Sequence, residues 1–119
     1  MKILCVDDDV DIAMLMDNVL SANGHYVTTC NSGADALAAI SDNDFNLIFL
    51  DLEMPHISGR EVIDSLSDSG FLNYNNIVIL TANDLEEPEK SKYNNLGIKE
   101  VLQKPMSLDG ILEVVKKFE

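Results

Sequence analysis

The sequence predicts an α/β protein made of five strand–helix units, (βα)5. Its sheet is expected to be parallel, five-stranded, open and doubly wound, with strand order 2-1-3-4-5. Three observations predict this. Short apolar runs alternate with helical periodicity along the whole chain. The runs lack the polar alternation of strands that face water on one side, so they read as buried parallel strands. Five strands are too few for a closed barrel, which needs eight.

The elements follow in order. The first run is Ile3–Val6, and Asp9 caps the helix after it, whose face is Ile12, Leu15, Met16, Val19 and Leu20. Asn23-Gly24 stops that helix. The second run is Tyr26–Cys30. Ser32-x-x-Asp35 reads as a capping box opening a helix through Ala36, Leu37 and Ile40. The third run is Leu47–Leu50, and Ser58-x-x-Glu61 opens a helix carrying Val62, Ile63 and Leu66, stopped near Gly70. The fourth run is Ile77–Leu80. Asp84-x-x-Glu87 offers a cap for a helix with a thin apolar face (Leu85, Tyr93, Leu96), ended at Gly97. Val101–Leu102 is the last and shortest run. Ser107 caps a final helix with Leu108, Ile111, Leu112, Val115 and Phe118 on one stripe.

Charge narrows the function. The chain of 119 residues, one domain in length, holds 21 acids and 8 bases, a net charge of -13. Residues 1–59 hold ten acids and one base, Lys2. That speaks against direct contact with nucleic acid or an anionic membrane. No run reaches a membrane span, and Asp7-Asp8-Asp9 interrupts the first apolar stretch too early for a signal peptide, so a soluble cytoplasmic protein is expected. Cys5 and Cys30 lie in strand contexts and read as reduced and buried. His25 and His56 read as surface or strand-edge residues, and most of the five methionines as packing.

In an open parallel sheet, ligands bind beyond the carboxyl ends of the strands, where the winding reverses. Four strand ends carry polar groups there: Asp7-Asp8-Asp9, Asp51, Thr81-Ala82 and Lys104-Pro105. The second ends in Cys30-Asn31 and adds nothing obvious. Strands one and three are neighbours in the expected order, so Asp7, Asp8 and Asp51 should converge. Carboxylates clustered this way repel unless a cation sits among them, and all-oxygen donors suit Mg²⁺. A carboxylate is also a nucleophile toward phosphorus, and Lys104 and Thr81 offer the positive charge and donor that phosphoryl oxygens require. Small Ala82 leaves access.

Other acidic motifs fail. An EF-hand counted from Asp7 meets Ile12 and Asn18 where Gly and Glu are needed. The Asp-x-Asp-x-Thr/Val pattern of haloacid-dehalogenase-like phosphatases is missed, three aspartates would repel a flavin phosphate, and no GxGxxG or P-loop occurs.

These motifs, Ile-Leu-Cys-Val-Asp7-Asp8, Asp51-Leu-Glu-Met-Pro55 with Gly59, Leu-Thr81-Ala82 and Lys104-Pro105, resemble a response-regulator receiver domain of two-component signalling. The likeness spans residues 1–119 and implies the flavodoxin-like fold. It implies Asp51 as phosphoacceptor, with Asp8, Asp51 and the Glu53 backbone carbonyl as Mg²⁺ ligands and Asp7 in the outer shell. It places Thr81, Lys104 and Ala82 at the phosphoryl group, Glu53 and Asn83 as tuning residues for dephosphorylation, and a cis bond at Lys104-Pro105. The domain would not be an enzyme but would assist its own phosphorylation and dephosphorylation. Its partners would be a histidine kinase or histidine phosphotransfer protein and a downstream protein or fused effector domain. Docking is expected around Met14, Met106 and Ser107, and output around Lys90, Lys92, Lys99 and Val101. One departure stands out: Val101 occupies a switch position where such domains carry Tyr or Phe. Two rivals follow, a phosphorylation-independent interaction domain of the same ancestry and a metal-dependent phosphatase. A stand-alone regulator and a segment of a longer protein are equally compatible with the sequence.

Overall fold

Five parallel strands pair in the order β2-β1-β3-β4-β5: β1 (Lys2–Val6), β2 (Tyr26–Cys30), β3 (Leu47–Asp51), β4 (Ile77–Thr81) and β5 (Glu100–Gln103). The computed structural model describes residues 1–72 and 75–119. The helices are α1 (Val10–Ala22), α2 (Gly33–Asp42), α3 (Gly59–Ser69), α4 (Glu87–Leu96) and α5 (Leu108–Lys116). The predicted fold and strand order are both present. No helix among the described residues is long and apolar enough to cross a membrane.

Alternation along the strands divides the core into two layers. Leu4, Val6, Ile48, Leu50, Ile77 and Ile79 face α2, α3 and α4. Ile3, Cys5, Leu47, Phe49, Val78 and Leu80 face α1 and α5. The central strands β3 and β4 are buried along their whole length. The edge strands are not, contrary to the expectation of uniformly buried runs. Tyr26 on β2 is 79% exposed, and β5 alternates between half-buried and exposed residues. Each edge strand has a neighbour on one side only, so part of its apolar surface stays in water.

Most caps are as predicted. Asp9 accepts from the Asp11 and Ile12 amides, and Ser58 with Glu61 closes a full capping box. Ser32 accepts from the Asp35 amide, which supplies one half of the expected box. Asp84 does not cap α4. The N-cap is Glu86, and Pro88 lies in the first turn, where its fixed φ and missing N–H are tolerated, so the helix starts later.

Two helix faces are rotated from the expected stripes. On α1, Ala13, Met16 and Leu20 are buried while Leu15 is 47% exposed; on α5, Val114 is buried while Leu108 is 44% exposed. Small Ala13 lets α1 approach the sheet closely, which turns Leu15 outward. Of the methionines, Met16 and Met54 are buried, whereas Met14 is exposed. Cys5 and Cys30 are buried and unpaired, and burial pushes the Cys5 thiol up to about 12. His56 is exposed. His25 sits just before β2 with only 6% of its side chain exposed, between the Met1 amino group and Glu119.

Candidate functional site

The carboxyl ends of β1 and β3 are adjacent because Val6 pairs with Leu50. Asp7 follows β1 and Asp51 ends β3, so their side chains emerge together at the edge of the sheet. Local backbone contacts fix both. The Asp7 amide donates to the Cys30 carbonyl at 3.1 Å, which extends the β1–β2 ladder by one bond. Asp7 Oδ1 accepts from the Asp9 amide at 2.9 Å, and Asp51 Oδ1 accepts from the Glu53 amide at 3.1 Å. Asn31, judged empty of function from the sequence, donates from its side chain to the Asp7 carbonyl at 3.0 Å and ties the end of β2 to the acidic turn.

Lys104 directly follows β5 and precedes the expected cis peptide bond to Pro105. Its amide donates to the Thr81 carbonyl at 2.8 Å, so β4 positions it. Its ammonium lies 2.8 Å from Asp7 Oδ2 and 3.2 Å from Asp51 Oδ2. Asp7 and Asp51 are 1% and 3% exposed. Burial first, then the charge of Asp7, pushes the Asp51 carboxyl from 3.8 up to about 7, against the pull of Lys104 and the Glu53 amide. Burial lowers the affinity of Lys104 for its proton, but contact with Asp7 and the charges of Asp7 and Asp51 outweigh it, so the ammonium is held above its ordinary range.

Asp7, Asp8 and Asp51 each offer a carboxylate oxygen within 4.8 Å of the others. Asp8 is exposed and faces solvent, while Asp7 Oδ2 is buried and faces the Lys104 ammonium at 2.8 Å. Three carboxylates sharing one ammonium keep an excess of negative charge, and their all-oxygen donor set fits a hard divalent cation with an open side toward solvent.

On the other flank the Thr81 hydroxyl, 1% exposed as a residue, faces the Glu53 carboxylate at 3.1 and 3.3 Å and accepts from the Asn83 amide at 3.2 Å. Asn83 donates a further bond to Glu53 at 3.3 Å. Ala82 is exposed beside them. Val101 is 42% exposed and borders an open cleft of about 380 Å³ with Thr81, Asn83, Leu85 and Gln103. Met14 is 57% exposed on α1, and Met106 lines an apolar cleft of about 390 Å³ with Ile12, Leu15 and Pro105. Lys92 is engaged by Asp64 at 2.9 Å. Two residues that sequence reasoning did not single out join this side: Arg60 and Glu89, paired across 29 positions.

The family model described as the response regulator receiver domain matches residues 3–116. The chain belongs to that family. This receiver domain is 28% identical over 116 residues to the protein PilG of Pseudomonas aeruginosa, covering 98% of this chain and 85% of that one. It is 31% identical to the sensor histidine kinase RcsC of Salmonella typhi, covering 97% of this chain but 12% of that much longer protein. The response regulator TrrA of Thermotoga maritima, solved in complex with Mg²⁺ and BeF, superposes with a TM-score of 0.80 at 30% identity, covering 99% and 98% of the two chains. The domain is therefore a receiver of two-component signalling, with the doubly wound fold of its family.

Gly59, part of the motif after Asp51, backs the receiver site. Its amide donates to the Leu52 carbonyl at 3.0 Å, and an added Cβ would overlap the Asp51 carbonyl oxygen and stand 2.7 Å from Leu52 Cα. Backbone cannot swing away as a flexible side chain can. Gly59→Ala is therefore expected to cost about 3 kcal/mol, read as a lower urea midpoint at unchanged slope. A cost under about 1 kcal/mol would mean that α3 can retreat from β3 without penalty.

Proposed function

We propose that this receiver domain accepts a phosphoryl group on Asp51 from the phosphohistidine of a kinase or phosphotransfer protein, and thereby changes the surface it offers to a downstream partner. One observation carries the reading: three carboxylates converge beyond the ends of β1 and β3 at the switch point of the sheet, and the half-buried Lys104 ammonium touches two of them, Asp7 and Asp51. The similarity to RcsC, a named sensor histidine kinase, supports a phosphohistidine donor, and the Mg²⁺–BeF complex of TrrA supports magnesium.

An Asp51 carboxylate oxygen attacks phosphorus in line. The P–N bond breaks, the imidazole leaves and takes up a proton, and an aspartyl phosphate forms. Asp8, Asp51 and the Glu53 carbonyl would hold Mg²⁺, with Asp7 acting through water, and the ion would supply positive charge to the transferring oxygens. Lys104 is already within 3.2 Å of Asp51 Oδ2, close enough to shift its hydrogen bond onto a phosphoryl oxygen. Thr81 supplies a hydroxyl donor from β4, and exposed Ala82 leaves the approach open. Glu53 and Asn83 border the path of an attacking water, where they would set the lifetime of the phosphate. The domain serves as a switch more than as a turnover catalyst, because its product is its own modified side chain.

The test uses a small phosphodonor such as acetyl phosphate with Mg²⁺. Intact mass is expected to rise by one phosphoryl group, and chelation of the metal or Asp51→Asn should prevent the rise. An unchanged mass for the parent, with a donor that phosphorylates another receiver in parallel, would sink the reading.

A further inference from the structure

Strand β2 is an unguarded sheet edge. It has β1 on one side and no further strand on the other among the described residues. The Tyr26 amide donates to the Met1 carbonyl at 2.9 Å, and the Cys30 carbonyl accepts from the Asp7 amide at 3.1 Å. Tyr26, Thr28 and Cys30 therefore turn their backbone groups toward β1, and alternation turns those of Val27 and Thr29 outward. Two N–H and two C=O groups stand there in register for another strand. Natural edges are commonly guarded by charged side chains or proline. The opposite edge has such guards: β5 carries Glu100, held by Lys117 at 3.1 Å, and is flanked by Lys99 and Lys104. Tyr26–Cys30 has none, and its first four residues, Tyr-Val-Thr-Thr, are all of strand-favouring types. Tyr26, 79% exposed, is the most exposed large apolar side chain among the described residues.

The surroundings of this edge carry one sign of charge. Residues 3–59 hold no Lys or Arg. Asp35 on α2 is close enough to add to the effect of burial in pushing the Cys30 thiol up, and Asp17 on α1 does the same to Cys5 on β1. Lys2, opposite Tyr26 in the β1–β2 register, lies over the Phe45 ring at 5.7 Å. The side chains divide by face: Val27 packs on the α1 side of the sheet, while Cys30, and with it Tyr26 and Thr28, lies on the α2 side.

We propose that β2 is a docking edge for an extended basic segment of a partner protein, which adds to the sheet as one further strand. Its main chain bonds Val27 and Thr29. Its side chains alternate, with Arg or Lys on the α2 side beside the Tyr26 ring and Asp35, and β-branched residues on the α1 side beside Val27. A second copy of this chain would satisfy the hydrogen bonds but not the charge, because pairing β2 with β2 sets the acids of α1 and α2 against their own kind. Neither Val27 nor Thr29 belongs to the acidic site, so the proposal stands apart from the phosphoacceptor reading.

A short capped peptide of alternating Arg and Val is the probe, added to the full chain while amide exchange is followed by NMR. At saturation the Val27 and Thr29 amides are expected to exchange at least about 5-fold more slowly, while the Tyr26 amide, already bonded to Met1, is unchanged. An analogue N-methylated at every amide keeps the charge but cannot pair, and one of alternating Glu and Val pairs but carries the wrong sign. Each is expected to bind at least about 10-fold more weakly. Tyr26→Ser, a change on the exposed edge, should weaken the Arg–Val peptide by about 3-fold. Equal binding of the N-methylated analogue would reduce the attraction to net charge and overturn the proposal. Binding that leaves the Val27 and Thr29 amides unprotected overturns it as well, and so does a Glu–Val peptide that binds as tightly. Protection of the same two amides by self-association, without any peptide, makes a second copy the occupant and overturns the basic partner.

Discussion

Asp51→Asn should make the metal-free protein more stable at pH 8 while ending phosphoryl uptake. Asp51 is 3% exposed and its carboxyl is pushed from 3.8 up to about 7, first by burial and then by Asp7. A carboxyl whose folded pKa exceeds its unfolded one binds its proton more tightly in the native state. Its contribution is therefore harmless below about pH 4, grows costly as pH rises toward 7, and stays costly above. At ~1.4 kcal/mol per unit, a rise of about three units costs on the order of 4 kcal/mol, with the pull of Lys104 already included. Asparagine keeps the shape of the side chain and an oxygen for the Glu53 amide, but carries no charge to desolvate. Chemical denaturation in a chelator at several pH values reads the effect. The parent should lose stability between about pH 4 and pH 7 relative to Asp51→Asn, and equal pH slopes for the two proteins would show that Asp51 is not perturbed by its surroundings.

The strand ends that carry this prediction were legible because sequence alone places them. A run such as Leu47–Leu50 before Asp51, or Ile77–Leu80 before Thr81, fixes both the strand and the polar group at its carboxyl end. The strand order then brings Asp7 beside Asp51, and the capping signals of Asp9, Ser58 and Ser107 act over three residues, within the range of local reading. What was not legible depends on shape or distance. The apolar stripes of α1 and α5 contain more apolar residues than the sheet can cover. Which of Ala13 or Leu15, and which of Val114 or Leu108, turns inward is set by how closely each helix packs. The exposure of β2 and β5 follows from their edge positions, which their composition does not reveal. Asn31 acts through a backbone carbonyl 24 residues away, and Arg60 meets Glu89 across 29, so no local pattern marks either one.

Replacing Lys104 should act in the opposite direction to replacing Asp51. Its ammonium is the only cation in contact with Asp7 and Asp51 among the described residues, at 2.8 and 3.2 Å, and its side chain is 17% exposed. Lys104→Met keeps most of the aliphatic stem but leaves two buried carboxylates facing each other. Breaking a buried pair by removing one partner costs about 3–5 kcal/mol, because the remaining charge stays desolvated. In a chelator at pH 8, Lys104→Met is expected to lose an amount in that range. Saturating Mg²⁺ should recover much of it, since any ligand that binds only the native state stabilises that state. The same substitution made in the Asp51→Asn background should cost less, because one of the two stranded charges is gone, and the difference measures the coupling between positions 51 and 104. Couplings between contacting residues run from about 0.5 to 3 kcal/mol, and two charges in a buried site belong toward the upper end. If Lys104→Met costs the same in both backgrounds, the 3.2 Å contact carries no energy and the ammonium serves Asp7 alone.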